Sequence, residues 1–255
     1  MEVWLEALFP LLWITLRTVG FIVTAPVIGT RYVPGLIKAT VSLLLGYILW
    51  PVVPVSPSPG TLGGFIASAS SEVGFGLLLG FCGTIMIAAI ETAGHIVDMK
   101  IGFGMANVVD PHYGQSSPIL GIFKYLLIIL IFLGINGHHM LIKALFQSFQ
   151  LVPAGAAAVP REWAQIGLGA AGRMLKIALA LSCPVWASTL IVDFALGVIA
   201  RTVPQLNVFV VGIPIKTLVG LGILSGSVAF YGVFTKEIAL SIQNLMQSLL
   251  GVMSK

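Results

Sequence analysis

Three residues whose side chains can bind a metal or carry protons follow one another at helical spacing near the middle of the chain. Glu91, His95 and Asp98 occupy positions i, i+4 and i+7, so a helix places them on one face. Each type can ligate a metal or relay a proton, which makes this face a candidate site. A polar face turned to water or to neighbouring helices is the favoured alternative, because no HExxH-type spacing and no nucleophile beside a histidine accompanies these residues. The sequence therefore gives little support for an enzyme.

A second candidate begins three residues further on, where residues 101–107 read IGFGMAN. Gly102 and Gly104 bracket Phe103, and Met105 follows, so a backbone that bends easily carries soft apolar side chains. Such a loop can fill an aqueous opening and later withdraw, because Met and Phe side chains seal by dewetting and need no fixed hydrogen bonds. An ordinary connector between two helices is the alternative that these residue types leave open.

A third candidate is the polar stretch 201–216, which reads RTVPQLNVFVVGIPIK. Pro204 and Pro214 are expected to break helices, because proline lacks the amide that a helix interior needs. Gln205 and Asn207 offer hydrogen-bonding amides beside this break. The stretch is therefore expected to make specific contacts.

Arg17 and Asp193 are two of the charged residues that lie inside apolar segments, where an ionised side chain is costly unless it has a partner. Arg17 is near the middle of the first segment, and Asp193 precedes Arg201 by about two helical turns, too far for easy pairing along one helix. Both Arg17 and Asp193 are predicted to have partners on another helix or subunit. Snorkelling of Arg17 to the membrane surface is the alternative.

Composition indicates a membrane protein built of helices. Of the 255 residues, 58% are hydrophobic and 9% are charged, whereas a soluble domain carries about 25% charged residues. The apolar runs are continuous, as between Tyr125 and Leu133, and the strands of a β-barrel would alternate instead. The expected fold class is therefore all-α and membrane-associated.

Other function classes find no support in the residue pattern. The net charge is only +4 and the basic residues are dispersed, so no nucleic-acid partner is expected. Cys82 and Cys183 lie in apolar segments and form no disulfide or metal spacing, and the pair His138–His139 has no third ligand nearby. No metal and no cofactor are predicted.

Apolar segments of several lengths follow one another along the chain. The predicted spans run from about Ala7 to Ile28, up to Trp50–Pro51, from about Gly63 to Ile90, and from Ile119 to Leu133. Residues 140–151 read as an amphipathic helix too short to span. Residues 167–200 fit either two short helices broken near Pro184 or one bent span.

Two pairs of glycines and a C-terminal tail complete the pattern. Gly76 with Gly80, and Gly222 with Gly226, have the GxxxG spacing that lets helix backbones approach closely. The tail, residues 236–253, is expected to lie on a membrane or against a partner helix. Its apolar face comprises Ile238, Ile242, Leu245, Leu249 and Val252.

Three longer motifs carry a resemblance that covers nearly the whole chain. Residues 17–39 contain RTVGFIVTAPVIG and then VPGLIKA, residues 94–111 read GHIVDMKIGFGMANVVDP, and residues 193–221 read DFALGVIARTVPQLNVFVVGIPIKTLVGL. Together they resemble the FliR/SctT family of type III export gate subunits. The PQLNVF–GIPIK run is specific, and its PQLNVF part favours the flagellar branch.

The resemblance implies a fold, a location and partners. Residues 1–185 would form a FliP-like helical body and residues 186–255 a FliQ-like helical hairpin with an amphipathic tail, in a helical ring of several FliP and FliQ copies around one such subunit. The implied location is the bacterial inner membrane, in the flagellar basal body, with part of the assembly projecting on the periplasmic side. FlhB, FlhA, membrane lipid and unfolded flagellar substrates are the further implied partners.

The resemblance also implies roles for particular residues. A plug loop corresponds by position to residues near Gly102–Pro118 and would help to seal a protein-conducting channel. Its candidate residues are Gly102, Phe103, Gly104, Met105, Asn107, Asp110 and Pro111. Residues expected on a polar face or in subunit contacts are Arg17, Glu91, His95, Asp98, Asp193, Arg201, Pro204, Gln205, Asn207, Phe209 and Lys216.

Two other functions are alternatives to the channel subunit. A self-sufficient proton-coupled secondary transporter would use Glu91, His95 and Asp98 as its relay, although the sequence lacks a clear inverted repeat. A membrane metalloenzyme would need a bound metal.

Overall fold

The chain folds into helices throughout its described part, which confirms the all-α prediction. A computed structural model describes residues 2–30, 32–57, 61–103, 119–157, 162–205 and 207–253. The helices within these ranges are α1 (Glu2–Thr24), α2 (Gly35–Leu49), α3 (Leu62–Ile101), α4 (Ile119–Gly134), α5 (Gly137–Leu151), α6 (Glu162–Thr202) and α7 (Val208–Met253). An isolated bridge joins Val55 to Ala154 in parallel orientation.

Three of these helices contain stretches long and apolar enough to cross a membrane. The stretches are Leu62–Ile85 of α3, Trp163–Thr202 of α6 and Val208–Ser227 of α7. A fourth crossing is available if α4 and α5, which bend by 67° at the break between them, act as one broken span. The apolar parts of α1 (Phe9–Thr24) and α2 are shorter.

The first helix ends four residues before the predicted end of its segment. Pro26 cannot continue the helix, because it has no amide to donate, and Val27 takes a left-handed conformation with φ 73°. The amides of Ala25 and Gly29 still bond to Phe21 and Ala25 carbonyls, at 2.7 and 2.8 Å, and close the turn. The apolar part of α1 is therefore shorter than the predicted span.

Three described helices contain a proline, Pro10 in α1, Pro184 in α6 and Pro214 in α7, and the prediction that Pro214 breaks its helix is wrong. Pro184 lies within the 41 residues of α6, and Pro214 lies within the 46 residues of α7. Of the two arrangements expected for residues 167–200, the structure has a single helix. In long apolar helices, neighbouring groups and small adjustments of the helix can satisfy the carbonyl that a proline leaves free.

The helices pack into two compact units, each built from separate parts of the chain. Unit 1 comprises Met1–Met86, Phe132–Ala171 and Ile238–Lys255, and unit 2 comprises Ile87–Ile131 and Gly172–Glu237. These packing units do not test the division at residue 185 into a FliP-like and a FliQ-like part, which stays a prediction.

Unit 1 has a close contact between α1 and α3, formed at three glycines, Gly20 of α1 and Gly76 and Gly80 of α3. A Cβ atom on Gly20 would come within 2.5 Å of the Val73 carbonyl oxygen, and one on Gly76 would meet the Arg17 carbonyl oxygen and the Phe21 nitrogen. A Cβ atom on Gly80 would also clash, at 2.5 Å from the Phe21 carbonyl oxygen. The GxxxG spacing of Gly76 and Gly80 thus marks a real backbone contact.

The C-terminal end of α7 completes the core of unit 1. Ile238, Ile242, Leu245 and Leu249 are all 1% exposed or less. Their burial shows that this face packs within the chain. Of the two expected arrangements, on a membrane or against a partner helix, the first is therefore wrong for these four side chains. The fifth predicted member, Val252, lies outside the residues whose side chains the structure describes.

Unit 2 has an apolar cluster of its own. Its buried members are Val97, Ile101, Leu120, Val185 and Leu224, with Phe103 and Ile223 packed against them. These residues come from α3, α4, α6 and α7, together with Phe103 just after α3. The cluster therefore holds together the end of α3 and the start of α4. These are the described parts of the chain on either side of the segment that joins the two helices.

Candidate functional site

The predicted plug loop is described only at its first two residues. Gly102 follows the last residue of α3 with φ +97°, a conformation that glycine adopts without strain and that commonly ends a helix. Phe103 packs against the apolar cluster of unit 2. Gly104, Met105, Asn107, Asp110 and Pro111 lie outside the described residues.

Helix α7 fixes the end of α3 that leads into this loop. The Thr217 hydroxyl donates to the Ile101 carbonyl oxygen at 2.9 Å, which satisfies one of the carbonyls left free at a helix C-terminus. Gly220 of α7 has no room for a side chain, because its Cβ would press on Ile101. A Cβ on Gly102 would in turn lie 3.2 Å from Ile213. The start of the loop is therefore anchored to α7.

The start of α4 is anchored to α3 by Asp98. The amide of Leu120 lies 3.1 Å from Oδ2 of Asp98 and 3.3 Å from Oδ1, and the amide of Gly121 lies 3.4 Å from Oδ2. These amides belong to the first turn of α4, where no preceding helical carbonyl can accept their bonds. Asp98 therefore caps a helix that begins more than twenty residues later in the sequence.

The Glu91–His95–Asp98 face divides between water and protein. Glu91 and His95 are exposed, while Asp98 is only 4% exposed. Burial raises the pKa of the Asp98 carboxyl above its usual range, and the amides of Leu120 and Gly121 with the charges of His95 and Lys124 oppose that rise. Among the described residues no group of three or more His, Cys, Asp or Glu side chains converges as a metal site would require. The face thus holds α4 in place through Asp98.

Arg17 has an intrachain partner, Glu72 of α3, and both side chains are fully buried in unit 1. Arg17 Nε donates to Glu72 Oε2 at 2.6 Å, and Nη2 donates to Oε1 at 3.0 Å, a two-point contact between guanidinium and carboxylate. Nη1 donates to the carbonyl oxygen of Ser148 in the last turn of α5, at 3.1 Å, and to that of Val152 just after its end, at 3.0 Å. The cation therefore ties α1 to α3 and to the C-terminus of α5, where positive charge is favoured.

Both members of this ion pair make further contacts besides the one with each other. Glu72 Oε1 accepts from the Gly155 amide at 2.7 Å and from the Ala157 amide at 3.4 Å. The guanidinium lies between two aromatic rings, with its Cζ 4.8 Å from the centre of Phe75 and 4.2 Å from that of Phe149. Because both charges are bonded and shielded, burial at this point is tolerated.

Asp193 also has a partner on another helix. It forms an ion pair with Lys216 of α7, in a position where both side chains are partly exposed. The pair lies on the two helices that flank the turn at residues 203–207, about equally far from that turn on each side. It therefore aligns the α6–α7 hairpin.

The turn itself carries the other predicted contact residues on its surface. Asn207 caps the start of α7, because its side-chain oxygen accepts the Phe209 amide at 3.2 Å and its carbonyl oxygen accepts the Val210 amide at 3.0 Å. Arg201, Pro204, Gln205 and Phe209 are exposed, and Phe209 is 77% exposed. Of the predicted residues, Arg17 belongs to unit 1, while Glu91, His95, Asp98, Asp193, Arg201 and Lys216 belong to unit 2.

Several structurally important residues were absent from the predicted contact residues. Glu72 was visible as a lone acid in an apolar segment, just as Arg17 was a lone base, and that match of signs was the available signal. Lys124 carried the same kind of signal, as a lone base in the apolar segment Ile119–Leu133. Thr217 gave no such signal, because a threonine in an apolar helix is common and its partner depends on tertiary packing.

Comparison with known proteins gives a consistent set of matches. A family profile described as "Bacterial export proteins, family 1" matches residues 8–241. A flagellar biosynthetic protein FliR of Bacillus subtilis is 38% identical over 216 residues, covering 83% of each chain. A protein of the same name from Escherichia coli is 30% identical over 250 residues, covering 98% of this chain and 95% of its own. Yop proteins translocation protein T of Yersinia pestis is 31% identical over 220 residues, covering 82% of this chain and 83% of its own.

Proposed function

This chain belongs to the bacterial export proteins, family 1, and on that premise we propose that it completes and helps to seal a channel for unfolded flagellar proteins. It is a membrane protein and a component of the type III export apparatus, in keeping with the names and coverage of its relatives. The flagellar role rests on relatives named flagellar biosynthetic protein FliR, which match at up to 98% coverage of this chain.

The anchoring of the loop ends is the observation that carries the sealing role. Ile101, at the end of α3, and Leu120, at the start of α4, are both buried in one apolar cluster. Two separate hydrogen-bonding contacts, from Thr217 to Ile101 and from Leu120 to Asp98, fix these ends. Fixed described residues on both sides of the Gly-, Phe- and Met-containing segment suit a plug, because they give it an anchored base.

The proposed surroundings follow from the same family. We place the chain in the bacterial inner membrane, with several FliP-like and FliQ-like subunits around it and FlhB- and FlhA-like proteins beside it. Large apolar side chains on α6 and α7 are exposed, for example Phe194 at 76% and Leu218 at 73%. Lipid and neighbouring subunits would cover such surfaces, because helices in a membrane assembly present apolar side chains outward.

Removal of the plug residues tests the sealing role. Deletion of residues 102–107 in the assembled complex is expected to let ions or small solutes leak through the membrane, because the apolar side chains that exclude water are gone. Met105→Ser should give a smaller leak in the same direction. Solute efflux from cells, or conductance of the complex in planar bilayers, provides the measurement.

A second methionine offers a matched control. Met99 of α3 is 74% exposed and six residues upstream of Met105, so Met99→Ser should leave the membrane tight. Immunoblots of membrane fractions and native mass spectra must show that each variant still assembles. A deletion variant that assembles, exports and remains ion-tight would contradict the sealing role.

A further inference from the structure

The part of α6 that belongs to unit 2 has one buried side and one exposed side. The buried residues recur at helical spacing and are Ala178, Leu181, Val185, Thr189 and Leu196. On the opposite side, residues three or four apart are exposed over seven turns of the helix. We call this set the outer face of α6, and its members are Lys176, Ala180, Cys183, Ala187, Leu190, Phe194, Val198 and Arg201. Since no part of this chain covers the outer face, another molecule must do so if the helix is to leave water.

The charges on this side of α6 are all positive. Lys176 and Arg201 end the outer face, and Arg173 lies one turn before Lys176. All three are exposed, and none forms an ion pair with a residue that the structure describes. The acid in this part of the helix, Asp193, lies about 100° around the axis from the outer face and pairs with Lys216 of α7. The anions for the three cations are therefore expected on another molecule.

The distance between the two ends of the outer face matches the thickness of a bilayer. Lys176 and Arg201 are 25 residues apart, which is about 37 Å along a helix. The hydrocarbon core of a bilayer is about 30 Å thick, and its headgroup layers extend the total to roughly 40–45 Å. A crossing helix would place both cations among the headgroups. The six residues between them carry no charge and suit the hydrocarbon.

We propose that lipid covers the outer face of α6 and that its cations bind the phosphates of anionic phospholipids, with Arg173 and Lys176 in one leaflet and Arg201 in the other. One turn separates Arg173 from Lys176, so both can reach the same headgroup. The guanidinium bonds two phosphate oxygens at once, and the ammonium adds a point charge. A neighbouring subunit would need acids at both ends of a long apolar strip, whereas a bilayer supplies phosphates at this spacing.

This inference rests on the chain being a membrane protein and does not depend on the sealing role. The measurements of leak and of lipid contact can therefore fail independently of each other.

Spin labels on the outer face test what covers it. Cys183 is exposed and Cys82 is buried, so Cys183 offers a natural attachment point. Further labels are placed at Ala187→Cys and Leu190→Cys, which lie near the middle of the strip. The complete export complex, with other reactive cysteines replaced by serine, is reconstituted into vesicles of phosphatidylcholine and phosphatidylglycerol. Oxygen, which dissolves in hydrocarbon, should collide with these labels more often than a water-soluble nickel chelate does.

Both other outcomes of this measurement overturn the proposal. Low collision rates for oxygen and for nickel would show that a neighbouring subunit covers the outer face. An excess of nickel collisions would show that the face lies in water.

Lipid titration followed by native mass spectrometry tests the cations. Arg173→Gln combined with Lys176→Gln should weaken the binding of one phosphatidylglycerol per complex by roughly 25-fold, since each basic residue near a membrane contributes about fivefold. Binding of phosphatidylcholine should change much less, because its headgroup has no net charge. Arg173→Lys combined with Lys176→Arg keeps both charges and should retain most of the affinity for phosphatidylglycerol. An unchanged affinity in the glutamine variant would contradict the proposal. The spin-label series keeps every cation, so it decides the question if the glutamine variant fails to assemble.

Discussion

Among the side chains of unit 1 that the structure describes, Arg17 and Glu72 are the charged ones that the core encloses completely. Their mutual two-point contact is supplemented by backbone carbonyls on one side and backbone amides on the other. A buried ion pair often adds little net stability, because both charges lose their hydration. Its structural effect here is to fix α1, α3 and the residues after α5 in a single arrangement.

A double-mutant cycle on this ion pair gives a prediction at the residue scale. Arg17→Met leaves the Glu72 carboxylate buried without its cation and should cost about 3–5 kcal/mol, and Glu72→Met should cost a similar amount. The double variant should lose much less than the sum, since two apolar side chains replace two paired charges. Thermal denaturation of the purified complex in detergent measures these changes in stability.

An exposed charge serves as the control for this cycle. Glu91 lies on α3 like Glu72 but faces water, so Glu91→Gln should change stability by no more than about 0.5 kcal/mol. Additive losses in the double variant would show that Arg17 and Glu72 do not act as a pair.

The sequence could predict that a buried charge has a partner, but it could not predict which residue that partner is when the two are far apart in the chain. The presence of a partner for Arg17 and for Asp193 followed from the cost of a lone charge in an apolar segment. The identity of Glu72 did not, because it is 55 residues away and only the crossing of α1 and α3 brings it close. Periodicity put Glu91, His95 and Asp98 on one face, but it could not show that only Asp98 meets another helix.

At the scale of elements, the contact between α1 and α3 depends on the absence of side chains at Gly20, Gly76 and Gly80. Backbones that approach this closely make many van der Waals contacts, which stabilise helix pairs where water is absent. Gly222 and Gly226 repeat the spacing on α7, yet no atom lies within 4 Å of where their Cβ atoms would be. The same spacing therefore marks a contact in one helix and an open surface in the other.

Two neighbouring glycines of α3 provide a matched test of this contact. Gly76→Ala places a methyl group against the Arg17 carbonyl oxygen and the Phe21 nitrogen, so it should destabilise the protein by about 1–3 kcal/mol. Gly74→Ala meets nothing within 4 Å and should be neutral or stabilising by up to about 1 kcal/mol, since alanine favours helix. Thermal denaturation in detergent separates the two, and equal melting temperatures would contradict the packing described.

Helices were predictable as elements, but their ends and interruptions were less so. Continuous apolar runs identified α3, α4, α6 and α7, because such runs have few other stable conformations in a membrane. The proline signal was reliable at Pro204, which lies between α6 and α7, and misleading at Pro214, which lies within α7. The predicted first span ran past Pro26, although α1 ends at Thr24. The packing of residues 238–249 within unit 1 could not be foreseen, because an apolar helical face does not identify what covers it.

At the scale of the whole molecule, the chain combines a family match over residues 8–241 with exposed apolar surface on long helices. Exposed side chains of this size in a membrane protein need lipid or other subunits against them. The motif resemblance predicted the family, and the comparisons confirm it. Subunit order and the division into FliP-like and FliQ-like parts depend on other chains, so no property of this sequence alone could establish them.

The central claim is that this chain works as one subunit of a larger export gate. Native mass spectrometry of the complex that co-purifies with the tagged chain in mild detergent tests this claim most directly. The predicted result is a single assembly with one copy of this chain and several copies each of FliP-like and FliQ-like subunits. A chain that is monomeric or bound only to itself in the native membrane extract would contradict the account.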